Sequence, residues 1–366
     1  METSLTHKKN VFVFLGILLF VSAWFAYPKN VDSAPLPVPE VSVPVSIEGT
    51  QDAMGHPATL VGEQFEYAVQ RGDSLTSISA RFGIELSILT QMNEIKKGAM
   101  LQQGQLLQID NRHIIPERLT DGILINLPQR MLYYFQAGKL MAHYPVGLGR
   151  PSWPTPIGSF NVTNIQENKT WYLPKSIQEE MRREGKIVLT QIPPGPENPL
   201  GKHWIGLSLP GIGIHGTIAP ASIYRFLSHG CIRLHPDDIA ALFQQVRKKL
   251  PGKIIYVPVL LARLKDGRIF LEVNQDIYKK NIDPITIIEN SAQTQGLGDK
   301  VDWDKVKKAI QLKGGLAREV GLPVPIPNGG IHGSHNKRQK SSSISKIRDV
   351  SRRSWIVSLP GACRTA

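Results

Sequence analysis

The sequence predicts a multidomain chain in which a small βααβ module precedes a mostly-β domain. Three observations predict it. The chain has 366 residues, 41% of them hydrophobic and 20% charged, too long for one small module and apolar enough for real cores. Between Phe65 and Ile109 the apolar spacing runs strand, helix, helix, strand. From about Thr120 to Val257 it changes to short strand-like stretches punctuated by Pro151, Pro154, Pro156, Gly158, Pro193, Pro194, Gly195, Pro196, Pro199 and Gly201.

Residues 1–31 read as a signal peptide or membrane anchor. Lys8 and Lys9 precede an apolar run from Val11 to Tyr27, and Val21-Ser22-Ala23 offers small residues for cleavage. Uncleaved, the run is just long enough to span a bilayer. Either route predicts export, with the lysines left on the cytoplasmic side. Residues 32–64 carry Pro35, Pro37, Pro39 and Pro44 and read as a semi-rigid spacer.

The module occupies 65–110. Phe65 to Val69 alternates as a strand, and Gly72-Asp73-Ser74 supplies a turn and a helix cap. Leu75, Ile78 and Phe82 follow at helical spacing and Gly83 stops the helix. A second short helix fits Leu86 to Met92, ending at Asn93, and Leu106 to Ile109 closes as a strand. In the next domain, 120–257, strands are expected at Gly122 to Leu127, Met131 to Phe135 and Lys139 to Val146, with one helix carried by Ile239, Leu242, Phe243 and Val246. An extension follows at 258–330. Strands Lys253 to Leu261 and Ile269 to Val273 flank the turn Lys265-Asp266-Gly267, and Ile285 to Val320 reads as one or two amphipathic helices around Trp303. The tail 331–366 reads as disordered.

Lys plus Arg number 43 against 30 acids, a net charge of +13. Much of the excess is in the tail, where Lys337, Arg338, Lys340, Lys346, Arg348, Arg352, Arg353 and Arg364 face the single acid Asp349. Such a tail suits an anionic wall polymer or lipid surface, or serves as a solvated segment. A nucleic-acid role is disfavoured, because export removes the partner. The two cysteines, Cys231 and Cys363, are too few for a disulfide scaffold and are read as unpaired.

The chemistry concentrates in Ile214-His215-Gly216-Thr217 through Ser228-His229-Gly230-Cys231-Ile232-Arg233, with His235 close behind. A thiol performing acyl transfer needs a base, donors for the oxyanion, and exposure. His215 ends an apolar strand and can be held rigidly. Gly230 permits a sharp turn that opens backbone N–H groups beside Cys231. Arg233 shares a face with Cys231 in extended chain, where it lowers the thiol pKa or binds a substrate carboxylate. Three plainer readings compete. Cys231 is a buried inert thiol, or His215, His229, Cys231 and His235 bind zinc at a spacing that matches no common zinc pattern, or the histidines are ordinary surface groups. Ile331-His332-Gly333-Ser334-His335 echoes the His-Gly element without a following cysteine and is read as non-catalytic.

Two resemblances follow from these residues. Tyr67-x-Val69, Gly72-Asp73-Ser74-Leu75, Ile78, Asn93 and Leu101-x-x-Gly104-Gln105-x-Leu107 resemble a LysM module, which implies binding of N-acetylglucosamine-containing glycans. That resemblance implies sugar contacts from Gly72, Asp73, Ser74 and Leu75 and from residues just after Asn93. His215-Gly216-Thr217, Ser228-His229-Gly230-Cys231 and Arg233 resemble the catalytic signature of the L,D-transpeptidase (YkuD) family. Upstream, Thr155-Pro156-Ile157-Gly158, Thr170-Trp171 and Pro194-Gly195-Pro196-Glu197-Asn198-Pro199-Leu200-Gly201 extend the match.

The second resemblance implies a β-sandwich-like catalytic domain with Cys231 as nucleophile and His215 as proton acceptor. It implies an oxyanion site from His229, Gly230 and Cys231, support from Thr217 and Ser228, and substrate contact from Arg233. The implied substrate is a peptidoglycan tetrapeptide stem, and the acceptor another stem, a lipoprotein or water. With water the enzyme is an L,D-carboxypeptidase, and without catalysis the chain is a peptidoglycan-binding protein. No metal or cofactor is implied, and the implied location is periplasmic or cell-envelope. Tyr224 stands where related sequences usually have Gly, and Lys169 where Pro is usual.

Overall fold

The computed structural model describes residues 60–96 and 98–323. The expected export segment, most of the proline-rich spacer, the basic tail with His332 and His335, and Cys363 lie outside the described residues. Among the described residues no helix is long and apolar enough to cross a membrane.

The first unit is the βααβ module. Strand Gln64–Ala68 pairs antiparallel with Leu106–Asp110, setting Phe65 opposite Ile109 and Tyr67 opposite Leu107. Between them lie α1 (Leu75–Phe82) and α2 (Leu86–Met92). Helix α1 opens on a reciprocal cap, with Ser77 N–H donating to Ser74 Oγ at 3.1 Å and Ser74 N–H donating to Ser77 Oγ at 2.8 Å. It ends on Gly83, whose φ of 68° few other residues adopt at low cost. Asn93 then ties the end of α2 to the closing strand. Its amide donates to the Leu89 and Gln108 carbonyls, and its carbonyl accepts from Gln108 N–H.

The mostly-β domain is built on one mixed eight-stranded sheet. Its strands run Ile232–Arg233, Gly213–His215, His203–Leu207, Gly158–Glu167, Pro251–Ile255, Gly122–Asn126, Met131–Gln136, Lys139–Pro145 across the sheet. The ladder is parallel where Gly213–His215 meets Ile232–Arg233 and where Pro251–Ile255 meets Gly122–Asn126. The unbroken apolar run Met131-Leu132-Tyr133-Tyr134-Phe135 has a direct cause, since both faces of that strand are covered. Leu132 and Tyr134 enter the core beneath α4 (Pro236–Phe243), while Met131, Tyr133 and Phe135 enter a second core. That second core takes Ala80 from α1, and Val61 and Ile115 from the strands and turns around the module.

Three expectations change. The single strand expected over Lys253 to Leu261 is two strands in two sheets. Pro251–Ile255 belongs to the eight-stranded sheet, and Val259–Arg263 to a three-stranded sheet with Ile269–Val273 and Arg318–Glu319. Pro258 has no N–H for a ladder and breaks the run. The spacer is shorter than expected, because Leu60–Val61 pairs with His113–Ile114. A helix not expected from the pattern, α3 (Lys175–Arg183), lies between the paired segments Trp171–Tyr172 and Gln191–Ile192. It buries only Ile177, so it has no apolar stripe to announce it. The extension carries α5 (Pro284–Thr294) and α6 (Trp303–Leu312), which supply Ile288, Ala292, Val306 and Ala309 to a core over the three-stranded sheet.

The module docks through the C-terminal end of α1. Arg81 Nη1 lies 3.2 Å from Asp238 Oδ1 on α4, and both side chains are only 10% exposed. Glu85 Oε1 accepts from Arg130 Nη1 at 2.5 Å. The Gly83 carbonyl lies 3.3 Å from His113 Nε2.

Candidate active site

His215 is the last residue of its strand and pairs with Arg233 across the parallel ladder. Paired side chains leave a sheet on the same face, and alternation places Cys231, two residues before Arg233, on that face as well. The topology therefore sets His215 and Arg233 side by side and Cys231 on the same face of the sheet.

The orientation of His215 is set by its neighbours. Its Nδ1 lies 2.6 Å from the Gly216 carbonyl oxygen. A carbonyl only accepts, so Nδ1 carries the proton and Nε2 offers its lone pair. The Trp204 ring stacks on the imidazole, with centroids 5.9 Å apart and planes 20° from parallel. Trp204 is held by its indole N–H donating to Asn164 Oδ1 at 3.1 Å. Residue 213 must be glycine for this arrangement, since a Cβ there would sit 2.3 Å from the Trp204 ring.

Electrostatics keep the resting pair neutral. Burial pushes His215 down to about 3, the Arg233 guanidinium pushes it the same way, and bonds to the Gly216 and Leu200 carbonyls oppose both. Burial pushes the Cys231 thiol up, against a hydrogen bond from Gly213 and the charge of Arg233. The part-exposed thiol donates to the Gly211 carbonyl at 3.6 Å. Arg233 is partly exposed, but its Nε is buried without a partner.

The loop before the cysteine is fixed by hydroxyl groups. Gly230 N–H donates to Ser228 Oγ at 3.2 Å, and Ser228 Oγ–H donates to the Cys231 carbonyl at 2.6 Å. Thr155 Oγ1 accepts from Gly149 N–H at 2.9 Å and donates to the Gly230 carbonyl at 2.9 Å. The Gly230 carbonyl and the Cys231 N–H share one planar trans peptide, so gripping the carbonyl aims the N–H the opposite way. Gly230 has φ 103°, a conformation that disfavours other residues. Thr155 was quoted in the sequence motif without a role, and the structure places its hydroxyl one peptide from the thiol.

The side chains of two further expected site residues have definite partners. The His229 ring is tied to α3, with Nε2 2.6 Å from Glu180 Oε2. It meets the Trp153 ring at 4.9 Å in a T-shaped contact. The ring of His229 is therefore engaged with the helix. Glu180 also pairs with Arg150, and these two hydrogen bonds hold its carboxyl below the usual carboxylate range. Thr217 Oγ1 accepts from Ala219 N–H at 3.0 Å and shapes the turn after His215. Sequence reading missed Glu180, because nothing in its spacing links it to His229. Among the described residues no three His, Cys, Asp or Glu side chains gather as a metal-ligand set.

In the module, Asp73 Oδ2 accepts from Tyr67 Oη at 2.7 Å and from Gln70 N–H at 2.8 Å. Ser74 is spent on the α1 cap, and Leu75 packs on the module core. Gly72 has open space beside it and φ 91°. These side chains build the loop and leave its backbone at Gly72 exposed.

A chain of this architecture resembles known proteins along most of its length. The family model for the L,D-transpeptidase catalytic domain (YkuD) matches residues 120–260, and that for the LysM domain matches residues 67–110. "Probable L,D-transpeptidase ErfK/SrfK" of Salmonella typhimurium is 30% identical over 302 residues, covering 79% of this chain and 92% of that protein. The chain belongs to the L,D-transpeptidase family. A second relative, "Probable L,D-transpeptidase YcfS" of Escherichia coli K12, is 31% identical over 274 residues, covering 71% of this chain and 85% of its own length. Members of this family are peptidoglycan-modifying acyltransferases, and the LysM domain adds a peptidoglycan-binding module. Tyr224 takes φ 59°, and its ring lies under the Arg130 guanidinium at 3.9 Å.

Proposed function

We propose that this L,D-transpeptidase acts on peptidoglycan tetrapeptide stems through a thioester on Cys231. The observation that carries the reading is the shared face of Cys231, His215 and Arg233, with the His215 Nδ1 proton committed to the Gly216 carbonyl. In the first half-reaction the thiol proton moves to His215 Nε2. The sulfur attacks the carbonyl at the L-centre of the third stem residue. The tetrahedral oxyanion is met by the Cys231 N–H, the donor whose partner carbonyl Thr155 holds. Collapse breaks the bond to D-alanine, whose amine takes the proton from His215. In the second half-reaction an acceptor amine attacks the thioester, gives its proton to His215, and leaves Cys231 as thiol. The part-exposed guanidinium of Arg233 is a natural contact for a stem carboxylate.

Burial works against charge on both groups, so the thiol proton moves to His215 only as the sulfur attacks. The pair stays uncharged until a substrate carbonyl is present, which limits adventitious oxidation and alkylation. The lysines and apolar run at the N-terminus support export to the periplasm or cell envelope, where stems and glycan strands are found. Another stem is the proposed acceptor, with a lipoprotein amine or water as competitors.

The test compares wild type and Cys231→Ala on purified tetrapeptide muropeptides by mass spectrometry. Loss of D-alanine with a new cross-link, absent in the variant, is expected. Loss of D-alanine without a cross-link would make the enzyme an L,D-carboxypeptidase. D-alanine release that persists in Cys231→Ala would overturn the nucleophile.

A further inference from the structure

The extension beyond residue 260, outside the matched catalytic domain, reaches back into the site. Tyr278 follows the strand Ile269–Val273 and projects its hydroxyl onto the loop that carries Thr155. Its Oη donates to the Gly149 carbonyl at 2.7 Å and accepts from Thr155 N–H at 3.2 Å. Gly149 N–H donates to Thr155 Oγ1, and Thr155 Oγ1–H in turn grips the Gly230 carbonyl. One hydroxyl from the extension thus clamps both ends of the Gly149–Thr155 turn, one hydrogen bond away from the peptide that joins Gly230 to Cys231.

Tyr278 is itself held by two aromatic rings and by its own backbone N–H. Its ring stacks on Tyr256 at 5.7 Å and 23°, and meets Phe226 edge-on at 5.7 Å. Phe226 begins the short strand that leads to Ser228. Tyr278 N–H donates to Tyr256 Oη at 3.0 Å, and Tyr256 Oη–H donates to Asp276 Oδ1 at 2.6 Å. A surface tyrosine packed for area alone would not need its hydroxyl to satisfy one carbonyl and one N–H of the same turn.

We propose that Tyr278 is a positioning residue for acyl transfer: through Gly149 and Thr155 it fixes the Gly230–Cys231 peptide and so aims the Cys231 N–H at the oxyanion. The inference rests on Cys231 being the nucleophile. Gly230 N–H is already committed to Ser228 Oγ, so the aim of the Cys231 N–H is the quantity that Tyr278 sets. Removing an oxyanion donor costs on the order of 100- to 1,000-fold in kcat, and a donor that remains but loses its aim costs less, about tenfold.

The experiment uses the full chain with Tyr278→Phe, which keeps the ring and deletes the hydroxyl. Two rates are compared, D-alanine release from a disaccharide tetrapeptide and alkylation of Cys231 by iodoacetamide, followed by peptide mapping. Alkylation displaces iodide at a saturated carbon and forms no oxyanion. The expected result is a kcat about tenfold lower, with KM and the alkylation rate each within about twofold of wild type. Thr155→Val removes the next bond of the same path, and the double variant is expected to be no slower than Thr155→Val alone. Wild-type kcat in Tyr278→Phe, a parallel fall of kcat and alkylation, or losses that multiply in the double variant would each overturn the proposal. Should Tyr278→Phe fail to fold, Thr155→Val decides alone by the same split between kcat and alkylation. Cys231→Ala in the same assay separates this outcome from failure of the nucleophile assignment, since only the latter leaves D-alanine release intact in that variant.

Discussion

Asp238→Asn should make the protein more stable at pH 8 and leave it unchanged at pH 4. Asp238 sits in the first turn of α4, is 7% exposed, and receives one hydrogen bond from Arg81 of the LysM module. Burial raises its pKa from 3.8 to about 6, and the nearby Asp237 adds to the rise, while Arg81 only partly offsets both. A carboxyl whose folded pKa is raised contributes stability that is present below the unfolded pKa and lost as pH climbs through the folded one. From 3.8 to about 6 the loss amounts to about 3 kcal/mol at 1.36 kcal/mol per pH unit. Asn keeps the acceptor for Arg81 and never ionises, so it avoids that loss. For a body of this size about 3 kcal/mol corresponds to roughly 6 °C in Tm. Thermal unfolding of both proteins at pH 4, 6 and 8 is the assay, with the gap opening between pH 4 and 7. An Asp238→Asn protein that is less stable than wild type at pH 8 would refute the reasoning, because the ion pair would then outweigh the burial of its carboxylate.

Two further outcomes follow from the site. Alkylation of Cys231 by iodoacetamide should rise about tenfold per pH unit between pH 6 and 8, because burial keeps the thiol protonated and His215 neutral across that range. A rate flat from pH 5 to 7 would instead signal a preformed thiolate–imidazolium pair. Glu180→Ala should free α3, which is held by Ile177 and by the Glu180 contacts to His229 and Arg150. Amide exchange over 175–183 is expected to accelerate while the Tm moves by no more than about 2 °C, and unchanged exchange would show that Glu180 does not hold the helix.

The legible parts of this fold were those with local causes. The Ser74 cap, the Gly83 stop and the apolar alternation fix the module within a few residues of where the structure has it. The neighbourhood of His215 and Arg233 has a short-range cause, because one parallel ladder pairs the two residues. What stayed hidden depends on long-range pairing. Tyr278 reaches Gly149 across 129 positions and Arg81 reaches Asp238 across 157, and no periodicity encodes such contacts. The His229 ring was assigned from its neighbours in sequence, whereas its partner Glu180 comes from a helix with no apolar stripe. Tyr224 takes a positive φ of 59°, a conformation that glycine adopts at less cost, and no local pattern announces it.

The catalytic segment is not an independent bead on a string, and this leads to the last prediction. Met131, Tyr133 and Phe135 are at most 2% exposed, and they point away from the core beneath α4 into the core shared with Val61, Ala80 and Ile115. Deleting the module and the strands around it would return these side chains to water, at about 1.5–3 kcal/mol for each large apolar residue. It would also leave Arg130 without Glu85 and Asp238 without Arg81, two charges in buried surroundings. Residues 120–260 expressed alone should therefore be insoluble or bind a hydrophobic dye, although they span the whole family match. A soluble fragment with a cooperative melt at the Tm of the full chain would show that the second core is dispensable. The same core fixes which end of the module is free. Docking uses Arg81 and Gly83 at the C-terminal end of α1 and Glu85 at the start of α2, whereas the Gly72 loop lies at the other end of a helix eight residues long, about 12 Å away. The Gly72 loop is thereby left open while the module is held against the catalytic sheet.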